Sequence, residues 1–396
     1  MEHQKHDFSK FIIYREICKD PVFAGISQDA DNGELSAFLV HWAEEEGIAG
    51  NLRLRYALRL LLGDHLFSRG VLKGLTTESS LYQMAKEETN HFFALICPWQ
   101  EMEDIFHDYA PSRTAPLCRE EASLLEDIKN KNQGAFFEHL MDFYRRRGYG
   151  DFAFTPFFRW RTGLETVTDP DLVTMEQLIG CGDQKAALMR NTASFLKGKR
   201  CNNALLYGER GTGKSSMVKA LGTLFFEKGL RLIELDKSDI RALGKIAAFV
   251  PKVGLKFIVF IDDLSFDNEA SEYREFKRIL EGSLHRQPDN LLIYATSNRR
   301  HLLKEYWQER DGEEVNIRES RDEKLSLSSR FGLTVAFLSP DQEGFLDIVY
   351  DVATRRGLAI DRETLKNAAL QWEKWYHGRS GRSAVQFVND LETRLS

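Results

Sequence analysis

Apolar residues recur at helical spacing through the first part of the chain: Leu35, Leu39, Trp42 and Ala43, then Leu54, Ala57, Leu58 and Leu61, then Leu81, Met84 and Ala85, then Phe92, Leu95 and Ile96. Phe136, Phe137, Leu140, Met141 and Tyr144 extend the series until Gly148 ends it. Residues three and four apart share one helix face, so the pattern predicts a mostly helical N-terminal domain over residues 1–165. From about residue 171 the rhythm becomes strand, loop, helix, repeated. Ala204 to Tyr207, Leu230 to Leu235, Phe257 to Ile261, Leu291 to Thr296 and Leu333 to Leu338 are short apolar runs. The middle ones are hydrophobic nearly throughout, as strands covered on both faces must be. Helical segments fall between them at 213–227, 238–249 and 270–284.

This alternation argues for a parallel sheet flanked by helices, an α/β core spanning 171–338. Ser339-Pro340 then reads as a helix start, a hydroxyl cap followed by proline at the first helical position. Helical stretches near 340–356, 361–376 and 381–395 predict a C-terminal helical lid over 339–396.

Composition narrows the class without naming it. The 396 residues are 42% hydrophobic and 29% charged with a formal net charge of −6, so neither disorder nor a global basic field dominates. The 5 cysteines (Cys18, Cys97, Cys118, Cys181, Cys201) are scattered and lack Cys-x-x-Cys spacing, which excludes a disulfide scaffold or a cysteine-built zinc site. No apolar stretch at the start resembles a signal peptide, and no window has the length of a membrane span. The expectation is a soluble cytoplasmic protein with no membrane partner.

The chemistry begins at Gly208-Glu209-Arg210-Gly211-Thr212-Gly213-Lys214-Ser215, which fits G-x-x-x-x-G-K-[ST] at every fixed position. Glycines let the backbone turn tightly and aim successive N–H groups at phosphate oxygens, and the helix that follows adds its positive end. Lys214 can reach β- and γ-phosphates, and the Ser215 hydroxyl can ligate Mg²⁺. The loop and the adjoining Ser216 are therefore the candidate nucleotide-binding residues. Phe257 to Ile261 leads into Asp262 and Asp263. One carboxylate just past a buried strand can support the metal, partly through water, and its neighbour can orient or deprotonate a water. Leu291 to Thr296 runs into Ser297 and Asn298, and in a parallel sheet such strand ends line the ligand crevice.

Taken together, residues from about 176 to 396 resemble an AAA+ ATPase module, in particular the bacterial domain of unknown function 815 family. Leu178-Ile179-Gly180 resembles the segment such modules place near adenine; Gly208 to Ser215 resembles Walker A, and Phe257 to Asp263 Walker B. Asn298 stands where a first sensor residue is expected. Ser329-Arg330-Phe331-Gly332 is similar to the motif carrying an arginine finger, and Ser380-Gly381-Arg382-Ser383-Ala384 to the second sensor in the lid. Arg379 is the other arginine near that position. The resemblance implies strand order 5-1-4-3-2, ATP with Mg²⁺, and a nucleotide-dependent homo-oligomer in which one subunit's Arg330 completes its neighbour's site.

Most AAA+ ATPases carry Asp-Glu after the Walker B strand, whereas here the pair is Asp262-Asp263. Aspartate reaches about one methylene less far, so the expectation is slow but real hydrolysis. A nucleotide-dependent switch or loader, with nucleic acid among its allowed partners, is the alternative; a P-loop kinase would have little use for Arg330 or a lid carrying Arg382.

Three features carry other readings. Arginines and aromatics from Phe143-Tyr144-Arg145-Arg146-Arg147 to Phe157-Phe158-Arg159-Trp160-Arg161 can stack bases, or can be a linker with packed aromatics, the favoured reading. Glu88 and His91 have a metal-site spacing, but no second copy exists, so a surface helix is expected. The charged loop 302–326 reads as a solvated insertion that could also touch a neighbouring subunit. The protein target is not legible.

Overall fold

The computed structural model describes residues 11–27, 33–102, 106–265, 276–277, 280, 288–298, 330–376 and 378–395. The expected helix at 270–284 lies mostly outside these residues, and the charged loop 302–326 lies wholly outside them. The chain forms two units, Met1–Phe154 and Thr155–Ser396.

The first unit is helical: Gly33–Glu46, Leu52–Leu61, Leu66–Leu72, Ser80–Ile96, Arg119–Lys129 and Gln133–Arg147 are its longer elements. Side-chain caps fix several starts: Asn51 accepts from the Leu54 N–H, Ser79 from Leu81 and Asn132 from Ala135. Gly148, with φ +83°, ends the last of these helices. The seams named from the sequence meet in an aromatic core, where Phe67, Phe92, Phe136, Phe137 and Tyr144 are all under 2% exposed.

Glu88 corrects an expectation. It is buried rather than on a surface face. Its Oε1 accepts from the N–H groups of Ile12 and Ile13 at 2.9 and 3.1 Å, and its Oε2 from Ile13 and Tyr14 at 2.9 and 3.1 Å. Those N–H groups precede the helix Arg15–Lys19, so the carboxylate ties down the turn that leads into it by satisfying three backbone donors. Among the described residues no group of three or more His, Cys, Asp or Glu is placed to hold a metal.

The second unit is built on a sheet of β1 (Phe157–Trp160), β2 (Leu164–Thr166), β3 (Ala204–Gly208), β4 (Leu230–Leu235), β5 (Lys256–Ile261), β6 (Leu291–Ser297) and β7 (Leu333–Phe337). Their order is β2-β1-β4-β5-β6-β3-β7, with every pairing parallel except β1–β2. Read from β7 to β4 this is the expected 5-1-4-3-2. The addition is a hairpin on the β4 edge. Phe157, Phe158 and Trp160 are buried there, and Gly222 on the helix Lys214–Phe225 leaves room for the Phe157 ring, which would lie 2.9 Å from any Cβ. Four residues interrupted by Arg159 give too short an alternation to stand out against the aromatic-and-arginine text around them.

That text is used internally. Arg147 pairs with Glu120, Arg146 with Asp142, Arg159 with Glu234 and Arg161 with Glu165. Gln342–Arg355, Arg362–Tyr376 and Gly381–Leu395 form the lid around Phe345, Val349, Leu365, Ala369, Phe387 and Val388. The first lid helix is capped by Asp341, whose carboxylate accepts from Gly344 N–H, not by Ser339. Ser339 is instead drawn to the phosphate loop, where its Oγ donates to Glu209.

Candidate functional site

Parallel pairing brings the chemistry to one edge. The loop after Gly208, the acids after Ile261 and the residue after Ser297 all leave carboxyl ends of adjacent strands β3, β5 and β6. Three glycines shape the loop. Gly208 has φ +147° and passes so close to β7 that a Cβ would lie 1.9 Å from the Phe337 carbonyl oxygen. Gly213 has φ +90° and caps the helix that starts at Lys214, with Leu178 packed 3.7 Å from where its Cβ would be. This puts Leu178-Ile179-Gly180 beside the loop; Ile179 is half-buried, and its carbonyl accepts from the Cys181 thiol at 3.5 Å. At Gly211, φ is +77° and a Cβ would meet Ser380 Oγ at 2.9 Å and Arg382 Cβ at 3.1 Å.

Lys214 is buried, its Nζ donating to the carbonyls of Gly208 and Glu209 at 2.8 and 2.6 Å and to Asn298 Oδ1 at 3.2 Å. Burial pushes its pKa down, Asp262 and Asp263 oppose that, and Arg210 and Arg382 reinforce it. Ser215 Oγ donates to Asp262 Oδ1 at 2.6 Å, and Thr296 Oγ1 donates to the same oxygen. Asp263 N–H donates to Thr296 Oγ1 at 2.9 Å, and Asn298 Nδ2 donates to Asp263 Oδ1 at 2.5 Å. The contacts thus form one chain: Ser215, Asp262, Thr296, Asp263 through both its N–H and its carboxylate, Asn298, Lys214. Asp263 holds φ +49°, a left-handed conformation uncommon for a residue with a side chain. Thr212 ties the loop to itself through the Glu209 carbonyl at 2.9 Å; Arg210 is exposed and Ser216 half-buried in the first helical turn.

For a divalent ion the donors are the Ser215 hydroxyl and the Asp262 carboxylate, hard oxygen atoms 2.6 Å apart, and this set fits Mg²⁺ completed by phosphate oxygens and water. Arg382 opens the helix Gly381–Leu395, its N–H donating to the Gly211 carbonyl at 3.4 Å. Arg379 is committed to Glu373 at 2.6 Å. Arg330 stands apart. It is exposed before the amino end of β7, whereas the loop lies at that strand's carboxyl end, where Gly208 pairs with Phe337. At about 3.3 Å per residue the separation is on the order of 15–20 Å, beyond a side chain's reach. Sequence reasoning gave no site role to Thr296, buried with Ser297 at the end of an apolar run, and read Ser339 only as a helix cap. A pair of hydroxyls closing an apolar run, Thr296 and Ser297, was the available signal.

A parallel core of order 5-1-4-3-2, with a phosphate loop after its first strand, paired acids after its third and a helical lid against the loop, defines an AAA+ P-loop module. Within that class the chain belongs to the family described as protein of unknown function (DUF815), whose family model matches residues 153–395. Comparison with curated proteins yields no match. Among solved structures the chain is similar to the RuvB Holliday junction branch migration motor of Thermotoga maritima, at 16% identity and TM-score 0.38 over 55% of this chain and 63% of that one. Two variants of RuvB from the same organism match at 16% identity and TM-score 0.39, over 55% and 56% of this chain and 63% and 66% of theirs.

Proposed function

We propose that this protein binds ATP and hydrolyses it slowly to ADP and phosphate, using the energy to move its lid against the sheet on behalf of a protein target. The observation that carries the reading is the hydrogen-bonded chain from Ser215 through both acids and Asn298 to Lys214. Its two ends, Lys214 and Ser215, open the helix that follows the glycine-rich loop.

In this reading the loop from Gly208 to Ser216 wraps the β- and γ-phosphates, and the Ile179 segment borders the base. Lys214 exchanges carbonyl acceptors for phosphate oxygens without moving its charge far. Ser215 and Asp262 hold Mg²⁺, which when bound supplies positive charge at the phosphate oxygens. Asp263 takes the proton of the water whose oxygen bonds the γ-phosphorus, while the bond from that phosphorus to the bridging oxygen breaks and ADP leaves. Asn298 fixes the Asp263 carboxylate, and Arg382 brings charge from the lid. Arg330, too far from its own loop, acts on a neighbour's, which makes the working form a homo-oligomer. A cytoplasmic setting fits this chemistry, since ATP is supplied there; the described residues include no helix long and apolar enough to cross a membrane.

One observation favours a second reading, a switch that holds ATP and seldom cleaves it. Asp263 is a short acid already engaged by Asn298 at 2.5 Å, which restrains it from water. The test is phosphate release by purified protein with Mg²⁺-ATP and no added substrate, beside a filter-binding titration. Steady release that disappears in Lys214→Ala supports the ATPase. Binding with a single turnover and no steady release supports the switch, and absence of nucleotide binding removes both.

A further inference from the structure

Three consecutive residues after β5 are anchored to one residue of β6. Asp262 Oδ1 accepts from the Thr296 hydroxyl, the Asp263 N–H donates to Thr296 Oγ1 at 2.9 Å, and the Leu264 N–H donates to the Thr296 carbonyl at 2.8 Å. Thr296 is 1% exposed, so water cannot substitute for its hydroxyl. A hydroxyl has one proton to give and lone pairs to receive. Here the proton goes to Asp262 and a lone pair takes the Asp263 N–H, so a single atom sets the two acids against each other.

The consequence is a division of labour. With Oδ1 of Asp262 taken by Thr296 and Ser215, that carboxylate is fixed toward the helix carrying Ser215. With its N–H held, Asp263 stays at φ +49° and its side chain turns to Asn298 instead of following the extended direction of β5. Leu264, fully buried, locks the turn from below. We infer that Thr296 is a positioning residue for hydrolysis: it touches neither nucleotide nor water, and it sets the direction in which Asp263 presents its carboxylate. The inference rests on the ATPase reading above.

The experiment compares Thr296→Val, which keeps shape and removes the hydroxyl, with Thr296→Ser, which keeps the hydroxyl and removes a methyl. A misdirected catalytic group costs roughly 10- to 100-fold, so Thr296→Val should lose that much in kcat while Kd for Mg²⁺-ATP changes less than about threefold. Thr296→Ser should recover most of the turnover even though it leaves a small void. The thermal midpoint of each variant, read alongside, separates direction from folding, since a packing role makes Thr296→Ser at least as damaging as Thr296→Val. Turnover of Thr296→Val at the wild-type rate, or equal losses in kcat and in ATP affinity, overturns the inference and leaves the ATPase reading standing. Wild-type protein that binds ATP but never turns it over overturns the hydrolysis reading, and the inference with it.

Discussion

Asn298 donates from Nδ2 to Oδ1 of Asp263 over 2.5 Å and accepts at its own Oδ1 from Lys214 over 3.2 Å. The candidate base and the lysine proposed to bind phosphate are thus coupled through one amide, and any change of charge at Asp263 is felt at Lys214. Replacing Asp263 by Asn removes the proton acceptor while preserving size, and asparagine tolerates the left-handed backbone at this position better than most residues. Asp263→Asn is therefore expected to fold and retain ATP, with turnover down by about 100-fold or more, the scale of a lost general base. Single-turnover phosphate release and an ATP titration check both halves; near-normal turnover would take Asp263 out of the proposed role.

The placement of Arg330 predicts a dependence on concentration. Because it lies at the opposite end of β7 from the loop, Arg330→Ala should leave ATP binding of the monomer unchanged and cut turnover. Specific activity of the wild type should rise with protein concentration as sites are completed between subunits. Mixing Arg330→Ala with Lys214→Ala should restore part of the activity, since mixed pairs carry one intact loop and one intact arginine. No restoration at any ratio would mean that each chain completes its own site.

Gly211 predicts a mechanical link between loop and lid. An added Cβ would sit 2.9 Å from Ser380 Oγ and 3.1 Å from Arg382 Cβ, against the start of the helix Gly381–Leu395. Gly211→Ala also places a side chain at φ +77°, a strain of about 1–2 kcal/mol. The lid must shift outward, so ATP affinity should fall by about tenfold, equivalent to 1.4 kcal/mol. Limited proteolysis of the nucleotide-bound variant should cleave faster near Pro340 than in wild type. Unchanged affinity together with an unchanged cleavage pattern would show that the loop and lid move independently.

How much of this could be read from residues alone depended on the range of the interactions involved. The phosphate loop and the strands β3 to β7 were legible because their signals are local: glycines where positive φ is required, and apolar runs five to seven residues long. Thr296 and the Glu209–Ser339 contact join residues far apart in sequence, and no periodicity encodes which polar side chains a parallel sheet brings together. Glu88 misled for the same reason, since its partners at Ile12, Ile13 and Tyr14 lie more than seventy positions away. The hairpin β1–β2 was hidden by brevity, and Ser339-Pro340 by a competing cap, Asp341, two residues on.

The N-terminal unit should lose stability in mild acid through His65. Its Nδ1 accepts from the Ser68 N–H at 3.2 Å and its Nε2 lies 2.9 Å from the Leu61 carbonyl, which fixes a neutral ring with the proton on Nε2. Burial pushes its pKa down to about 4; the Leu61 carbonyl and Asp64 oppose the shift, and Arg69 adds to it. Tyr14 and Tyr144, packed edge-on against the ring, are pushed upward by burial and stay neutral, so neither offsets a charge on His65. With the folded pKa below the unfolded value, the unfolded chain takes up its proton first as pH falls, and stability drops from about pH 6.5 until the folded ring also titrates near pH 4. The full effect is on the order of 3 kcal/mol. His65→Asn keeps a cap acceptor for Ser68 and does not titrate. Hydrogen exchange across Leu52–Leu61 and Leu66–Leu72 at pH 7 and pH 4.5 should therefore show wild type losing protection relative to the variant on acidification. An equal loss in both proteins would assign the acid sensitivity to other groups.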